Sequence, residues 1–595
     1  MNRRVVIGAK PKAQKKTLFR LISYLGESKI ALLMVILASV AATLAGLYAS
    51  YAIKPLIDII EQGLIGNLSR GDLQSSLLFQ LSILVIVFLI EILMTLFSSR
   101  MMVIISQKTV ETIRKDMYER MLRLEVKHHD HNAHGDLMSR FTNDIDLVGE
   151  GLNTAAASIV INIFTLIGTV IVMISINVLL SVVTMIILPF LSLLANWVVK
   201  KSRVYSKRQQ NSLGVLNGYI EESMEGQMVL QLFNHEKQAQ EKFEGLNKIY
   251  RKNSQWAQIT SIMIYPLMQN LNTISYAIIG VVGGYLSIFK GLSIGSLSAY
   301  VNMTRTQGKP INEISQQFTT LQSALASAER IFELLDWEEE LVNEDDIVLE
   351  HVEGSVRFEN VDFSYVEGTP ILRDVSFWAK PGQKIAFVGS TGAGKTTITN
   401  LITRFYDINA GQILIDGVDI KEVNRFSLRK HISMVLQDTH LFSGSIMDNI
   451  RYGNLEASDD ECIQAAKLAN AHHFIRQLEH GYDTVISGDG DELSQGQKQL
   501  LNIARAAVAN PSILILDEAT SSIDTRTEAL IEKGMDSIME GRTTFVIAHR
   551  LSTVRNADAI IVLEKGEIIE RGSHDELLEQ HGRYASLYSG QSELT

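Results

Sequence analysis

Long apolar stretches in the first half of this 595-residue chain constrain its fold more than any other feature. Five of them cover roughly residues 30–53, 77–105, 159–176, 178–199 and 259–289. A helix that crosses a bilayer needs about 20 mostly apolar residues, because the hydrocarbon core is about 30 Å thick and offers no partner to backbone polar groups. The pattern therefore predicts an all-α membrane domain.

A sixth stretch, residues 292–321, is only weakly hydrophobic and carries polar and charged side chains along its length. These are Asn302, Arg305, Gln307, Asn312, Glu313, Gln316 and Gln317. Such a helix cannot face lipid all round, so we predict a six-helix domain in which Asn302 and Arg305 line a transport pathway. Glu91, in the middle of the second stretch, either faces that pathway or is paired within the bundle.

Lysine and arginine flank the predicted spans unevenly, which sets their orientation. The N-terminus and the segments 106–158 and 200–258 contain many basic residues, so we place them in the cytoplasm; six crossings then leave both termini there. The two segments have helical apolar spacing and predict long cytoplasmic hairpins, whose tips near 129–136 and 217–226 could contact a soluble domain. The histidines at the first tip lack clear ligand spacing and predict no metal site: His128, His129, His131 and His134.

Composition changes after about residue 338, from apolar stretches to the mixed charge of a soluble protein. We predict an N-terminal segment with an amphipathic elbow (residues 1–28), a membrane domain (29–325), a linker (326–354) and an α/β domain (355–595). The net charge of −11, with no basic face in the soluble half, argues against nucleic-acid binding. The single cysteine excludes an intrachain disulfide and fits a reducing cytoplasm.

A glycine-rich turn joins an apolar strand to the start of a helix in the soluble half. The sequence GSTGAGKT satisfies the pattern G-x-x-x-x-G-K-[ST]. In such loops backbone amides surround phosphates, the lysine reaches the outer phosphates and the threonine ligands magnesium. We therefore predict that ATP and Mg²⁺ bind here. The candidate residues are Gly389, Ser390, Thr391, Gly392, Ala393, Gly394, Lys395, Thr396 and Thr397.

A second apolar strand, in SILILDEAT, ends in two carboxylates, Asp517 and Glu518. Aspartate at the end of such a strand is suited to hold Mg²⁺, and the adjacent glutamate can polarise a water molecule for in-line attack on the γ-phosphate. The sequence thus predicts a metal ligand and a catalytic base side by side.

Between these two motifs lies LSQGQ, which resembles the LSGGQ signature of ATP-binding-cassette (ABC) proteins. The resemblance covers essentially the whole chain, because six helices followed by one cassette is the layout of exporter half-transporters. It implies the type I ABC exporter fold: an all-α membrane domain and an α/β P-loop domain. It also implies adenine stacking by Tyr365, contact of Gln437 with magnesium and the γ-phosphate, a link between sites at Asp524, and γ-phosphate contact by His549.

In that family two cassettes stack head to tail, so one chain's signature meets the ATP on its partner's P-loop. The resemblance assigns this role to Ser494, Gln495, Gly496 and Gln497. Gln495 stands where the family usually has glycine, and Gly488 where exporter relatives usually have glutamate. This combination resembles one chain of the bacterial heterodimeric exporters, the one with the intact catalytic glutamate. A homodimer with Gln495 in both sites is the alternative.

The predicted function is ATP-driven export of drugs or other amphipathic compounds across a bacterial plasma membrane. A lipid flippase uses the same machinery and remains the near alternative. A third hypothesis is that the chain is an ATP-gated channel or a regulatory subunit. The intact Glu518 and His549 argue against it, because a gate that need not turn over could lose both residues.

Overall fold

The computed structural model describes residues 14–66, 69–340, 343, 345–436, 439–490, 492–517, 525–547 and 554–589. The chain divides into two compact units. The helical unit comprises Met1–Leu122 and His134–Trp337, and the α/β unit comprises Arg123–Ala133 and Glu338–Thr595.

The first 337 residues are helical wherever they are described, apart from short turns. The α-helices are α1 (Gln14–Leu25), α2 (Lys29–Tyr51), α3 (Ile53–Leu64), α4 (Arg70–Leu122), α5 (Val126–His131), α6 (His134–Ser139), α7 (Ile145–Glu150), α8 (Ala157–Ile176), α9 (Val178–Glu225), α10 (Gln227–Leu232), α11 (Glu236–Ile262), α12 (Ile264–Lys290), α13 (Ile294–Thr306) and α14 (Gly308–Leu335). Two π-helical turns, Arg140–Asp144 and Gly151–Ala156, interrupt the run from α6 to α8.

Four segments among the described residues are long and apolar enough to cross a membrane: Lys29–Leu64, Arg70–Leu122, His134–Ile176 and Thr273–Lys290. Val178–Ile187 is a further apolar helical segment, but the part of it with described side chains is too short to cross a membrane. The weakly hydrophobic stretch 292–321 falls on α13 and the first half of α14. The helical membrane-type domain predicted from the sequence is thereby confirmed.

Two helices far exceed a bilayer in length. Helix α4 has 53 residues and α9 has 48, so at about 1.5 Å per residue each is roughly 70 to 80 Å long. A hydrocarbon core is only about 30 Å thick. Both helices therefore extend well beyond any membrane segment that they contain.

Small residues bring the helices of this unit together. A Cβ atom on Gly168 of α8 would lie 2.3 Å from Leu47 Cδ1 of α2, so only glycine allows this approach. The hydroxyl groups of Ser39 in α2 and Ser98 in α4 are hydrogen-bonded at 2.8 Å. Close packing and one polar contact thus join α2 to both α4 and α8.

The α/β unit contains β1 (Val356–Phe363), β2 (Leu372–Ala379), β3 (Lys384–Val388), β4 (Ala410–Ile415), β5 (Val418–Asp419), β6 (Ile432–Val435), β7 (Gly444–Ser445), β8 (Val485–Ile486), β9 (Ile513–Asp517), β10 (Thr543–Ile547), β11 (Ala559–Glu564) and β12 (Glu567–Gly572). Its helices beyond α5 are α15 (Lys395–Ile402), α16 (Arg425–Lys430), α17 (Ile446–Arg451), α18 (Asp459–Leu468), α19 (His472–Ile475), α20 (Gln495–Ala509), α21 (Thr525–Met539), α22 (His574–Glu579) and α23 (Arg583–Tyr588).

A six-stranded sheet in the order β12-β11-β3-β10-β9-β6 forms the centre of the α/β unit. All neighbouring pairs are parallel except β11 with β12. A four-stranded antiparallel sheet, β2-β1-β4-β5, packs on it through one apolar core that includes Phe377, Phe387 and Phe545. Because β3 and β9 are parallel and only β10 separates them, the residues after each strand meet at one edge of the sheet.

The segment Arg123–Ala133, the tip of the first predicted hairpin, belongs to the α/β unit. Leu124 pairs with Glu339 as an isolated bridge, and Glu340 donates its backbone N–H to the carbonyl of Arg123 at 2.7 Å. Helix α5 also contributes Asp130, whose carboxylate accepts a hydrogen bond from the Tyr406 hydroxyl. The second predicted tip, residues 217–226, lies in the helical unit.

Candidate functional site

The loop between β3 and α15 has a backbone that requires glycine. Gly389, Gly392 and Gly394 have φ angles of 155°, 81° and 105°. A Cβ atom on Gly389 would lie 2.2 Å from the carbonyl oxygen of Leu563, and one on Gly394 would lie 2.6 Å from Leu372 Cδ2. No side chain caps the start of α15. Its first amides therefore remain available to an anion, as phosphate-binding loops require.

Lys395 is buried at the base of this loop, with 7% of its surface exposed. Its Nζ donates hydrogen bonds to the carbonyl oxygens of Gly389 at 2.5 Å and Ser390 at 3.3 Å. Burial lowers the pKa of the Lys395 ammonium, while the charge of Asp517 acts in the opposite direction. A confined ammonium beside uncapped amides fits the phosphates of a nucleotide.

Asp517 is the last residue of β9 and lies at the same sheet edge as the loop, close enough to Lys395 to act on its charge. Thr396 follows Lys395 in the first turn of α15 and is exposed. A carboxylate and a hydroxyl oxygen are ligands that Mg²⁺ accepts. Thr396 is adjacent in sequence to the lysine that Asp517 acts on, and the third predicted metal ligand, Gln437, lies outside the described residues.

Tyr365 lies beside the phosphate loop. Its hydroxyl donates to Thr397 Oγ1 at 3.3 Å and accepts from Asn400 Nδ2 at 3.3 Å. Its ring packs edge-on against Phe363 and Tyr406, with centroid distances of 4.8 Å in both cases. The predicted adenine-stacking residue is therefore anchored to α15, and sequence reasoning missed the supporting Tyr406 and Asn400.

The predicted signature forms the start of α20. Ser494 is the N-cap: its hydroxyl accepts a hydrogen bond from the Gln497 backbone N–H, and the Gln497 side chain accepts one from the Ser494 N–H. Ser494 and Gln495 are exposed, whereas Gly496 is buried. A capped helix 15 residues long presents the positive end of its dipole at this point.

Gly488 precedes the signature and has a φ angle of 56°, a conformation that side chains rarely adopt. A Cβ atom there would meet nothing within 4 Å, so backbone strain rather than crowding accounts for the glycine. Three other predicted residues, Glu518, Asp524 and His549, lie outside the described part of the chain.

Comparison with known proteins agrees with this geometry. The family model described as the ABC transporter transmembrane region matches residues 32–307, and the model described as ABC transporter matches residues 372–521. A Bacillus subtilis (strain 168) protein, named uncharacterized ABC transporter ATP-binding protein YfiC, is 44% identical over 586 residues, which are 98% of this chain and 96% of that protein. This chain belongs to the ABC transporter family.

Two other relatives of this ABC transporter have names that state a cargo. The fatty acid ABC transporter ATP-binding/permease protein of Mycobacterium bovis is 41% identical over 85% of this chain and 80% of its own length. The ATP-dependent lipid A-core flippase of Syntrophus aciditrophicus is 37% identical over 85% of this chain and 84% of its own. The chain is an ABC exporter subunit of the membrane, and its ATP-binding cassette is an ATPase coupled to transport.

The candidate pathway residues of this ABC exporter lie on two different helices, α4 and α13. Glu91 of α4 is half-buried and points at α2, since a Cβ atom on Gly46 would lie 3.1 Å from its Oε1. Asn302 and Arg305 lie on α13, where Arg305 is exposed. Among the described residues, no hydrogen bond or ion pair links Glu91 to either of them.

An ion cluster that the sequence did not predict lies in the α/β unit. Glu340 accepts hydrogen bonds from Arg425 at 2.8 Å and from Arg429 at 2.5 and 2.8 Å. Burial would raise the pKa of the Glu340 carboxyl, but Arg429 and Arg425 hold it below its ordinary value. Helix α16, which carries both arginines, leads directly into β6, and Gln437 follows that strand in the sequence. The cluster therefore connects the segment around Glu340, just after the helical unit, to the helix that precedes β6 and Gln437. An isolated acid among mixed charges carries no sequence signal for such a role.

Proposed function

We propose that this chain is the catalytic half of a heterodimeric ABC exporter that removes drugs or other amphipathic compounds across a bacterial plasma membrane, with both termini in the cytoplasm. Residues 29–325 are its membrane domain, 326–354 its linker and 355–595 its nucleotide-binding domain. The observation that carries the proposal is Gln495, an exposed side chain at the start of α20 where the family usually has glycine. This substitution alters the surface offered to a partner and leaves this chain's own phosphate loop intact.

In the proposed mechanism, the loop amides and Lys395 hold the outer phosphates of ATP while Tyr365 stacks on adenine. Thr396, Gln437 and Asp517 would hold Mg²⁺, which when bound neutralises charge on the β- and γ-phosphate oxygens. The buried Lys395 and the uncapped start of α15 support this assignment.

Hydrolysis in this proposal depends on residues after β9 and β10. Glu518 polarises a water molecule and accepts a proton from it, while the water oxygen bonds to the γ-phosphorus and the bond to the leaving ADP oxygen breaks. His549 contacts the γ-phosphate. The position of Asp517 at the end of β9, beside Lys395, supports placing the next residue, Glu518, near the phosphates.

The start of α20 acts on the partner's nucleotide in this proposal. Ser494, Gln495, Gly496 and Gln497 complete the site on the partner's phosphate loop, and Asp524 links the two sites. The exposure of Ser494 and Gln495 supports this role, because a surface that must meet another chain cannot be covered by its own. A homodimer, in which Gln495 would enter both sites, is the alternative.

Lipid export is the second candidate function, and the names of two relatives favour it. One is called a fatty acid transporter and the other a lipid A-core flippase. Fatty acids and lipid A are themselves amphipathic, so the same machinery serves either cargo.

The test is magnesium-dependent ATPase in lipid, for this chain alone and co-purified with the product of the neighbouring gene, with and without candidate drugs. We expect substantial turnover only with the partner, raised by drugs and abolished by Glu518→Gln while ATP binding persists. Full activity of the chain alone would establish a homodimer. Steady turnover of the Glu518→Gln complex would refute the role of Glu518 as base.

A further inference from the structure

An open cleft of about 560 Å³, lined by polar and apolar side chains, lies on the helical unit between α4, α14 and the start of α8. Its volume suits a drug-sized molecule. The wall combines the apolar side chains of Met102, Val103 and Ile161 with polar groups from all three helices. The polar residues that matter most for the argument are Ser98, Asn162, Glu313, Gln316 and Gln317.

The cleft lies at one end of the predicted membrane spans. Ser98 and Met102 are near the end of the stretch 77–105, and Asn162 is near the beginning of the stretch 159–176. Both positions are on the side that the distribution of lysine and arginine assigns to the cytoplasm. A molecule bound here could place an apolar body along the span and a polar group toward the cytoplasmic boundary.

Glu313 is the one charged residue lining the cleft in the described part of the chain. It pairs with Lys309, one turn earlier in α14, with Nζ 3.9 Å from Glu313 Oε1 and a lysine side chain that is 82% exposed. Such an exposed pair is weak and does not neutralise the carboxylate. The cleft therefore favours a cation over an anion.

Gln317 lies one turn after Glu313 and adds an unmet hydrogen-bond acceptor. Its Oε1 is buried without a hydrogen-bond partner. A buried carbonyl oxygen in this state is unfavourable and is satisfied by any group that brings an N–H or O–H donor. The carboxylate and this carbonyl lie on one face of α14, because residues four apart in a helix are neighbours.

A smaller cleft of about 260 Å³ shares Asn153 and Thr154 with the first. It carries both signs of charge, on Arg114, Asp146 and Glu150, and so does not select a cation by itself. Selection of cations over anions is therefore expected only in the larger cleft.

We propose that the cleft around Glu313 and Gln317 binds organic cations with an apolar body, and that it is a loading site for the exported compound. The proposal rests on the proposed exporter function and narrows its substrate class to cationic amphipaths. Glu313 pairs with the positive charge, Gln317 accepts a hydrogen bond from a donor on the cation, and the apolar wall contacts its body. Fatty acids and other anionic lipids are disfavoured, because the carboxylate would repel them.

Binding of two probes of equal shape and opposite charge tests the carboxylate. Tetraphenylphosphonium and tetraphenylborate are measured on the full exporter complex in lipid nanodiscs, without nucleotide. We expect the cation to bind, and Glu313→Gln to weaken it about tenfold. Glu119→Gln is the matched control, because Glu119 also pairs one turn away with a lysine at 3.9 Å but lies outside the cleft. Unchanged affinity in Glu313→Gln, or anion binding as tight as cation binding, would overturn the proposal.

A third probe separates the carbonyl from the carboxylate. Ethidium carries N–H donors and tetraphenylphosphonium has none, so Gln317→Leu should weaken ethidium severalfold and leave tetraphenylphosphonium nearly unchanged. Equal effects on both cations would remove Gln317 from the proposal. Basal ATPase is measured on the wild-type complex and on the Glu119→Gln control, where it should stay at the wild-type level. Absent ATPase in the wild-type complex would refute the exporter function, whereas intact ATPase with charge-independent binding would refute the cation site alone.

Discussion

The two helices that begin at the nucleotide-binding motifs, α15 and α20, start in opposite ways. Helix α15 follows Gly394, which has a φ angle of 105° and offers no side-chain cap. Helix α20 follows Ser494, whose reciprocal hydrogen bonds with Gln497 form a complete capping box. The first helix start needs a ligand to satisfy its amides, whereas the second is satisfied within its own chain. If α20 meets another chain's nucleotide, as proposed, its capping box keeps this surface in shape before that nucleotide arrives.

A second difference separates α20 from the other helices of the α/β unit that begin with a capping box among the described residues. Helices α17, α18 and α22 have capping boxes in which the third residue is an acid, namely Asp448, Glu461 and Glu576. In α20 this position is the uncharged Gln497. A carboxylate at this position would interact favourably with the positive end of the helix dipole but would repel a phosphate. Glutamine keeps the capping hydrogen bonds without the negative charge. A neutral capping box is therefore compatible with the proposed role of α20 at the partner's nucleotide.

Lys395→Ala tests the uncapped helix start and should have the largest effect. Loss of the buried ammonium removes the one cation held inside the loop in the described structure, so ATP affinity should fall on the order of a hundredfold and hydrolysis should be lost. Binding of a fluorescent ATP analogue and phosphate release measure the two effects. Lys467→Ala, at an exposed lysine of α18, is the control and should match the wild type. Retained hydrolysis in Lys395→Ala would contradict the assigned role.

Gln497→Glu tests the neutral capping box and should have an intermediate effect. Glutamate preserves the capping geometry, so the melting temperature should not fall. Its charge should repel the ATP that the degenerate site must hold for the dimer to close, and ATPase of the complex should therefore fall about tenfold. Thermal unfolding and turnover are measured together. Glu461→Gln makes the reverse change in α18 and should leave turnover unaltered. Wild-type turnover in Gln497→Glu would show that α20 does not meet a phosphate.

Gln495→Gly should have the smallest effect. If this residue faces only a degenerate site, hydrolysis in the heterodimer should stay within about twofold of the wild type, and the glycine should cost only up to about 1 kcal/mol of local helix stability. Turnover with the partner and thermal unfolding measure both quantities. A fall of about tenfold or more would place Gln495 at the working site and favour the homodimer.

How much could be predicted from the sequence differs between the two units. The glycine positions and Lys395 follow from one contiguous motif, and the structure shows positive φ angles at Gly389, Gly392 and Gly394 and a buried Lys395. The reasons those glycines are required, such as the carbonyl oxygen of Leu563 beside Gly389, come from a strand more than a hundred residues away. In the helical unit, the sequence singled out Glu91 because it lies in the middle of an apolar stretch, and in the structure this side chain packs against α2. The charged residue that lines the cleft is instead Glu313.

The sequence by itself determined the succession of membrane-type helices, the α/β domain and the nucleotide-binding motif, because hydrophobic periodicity and glycine-rich turns are local properties of a chain. Only the tertiary structure decided that residues 123–133 join the α/β unit, that Glu340 meets two arginines, and that Gln317 keeps a buried carbonyl without a partner. Each of these depends on which distant segments pack together. Burial and pairing of a side chain are set by neighbours that no local pattern specifies.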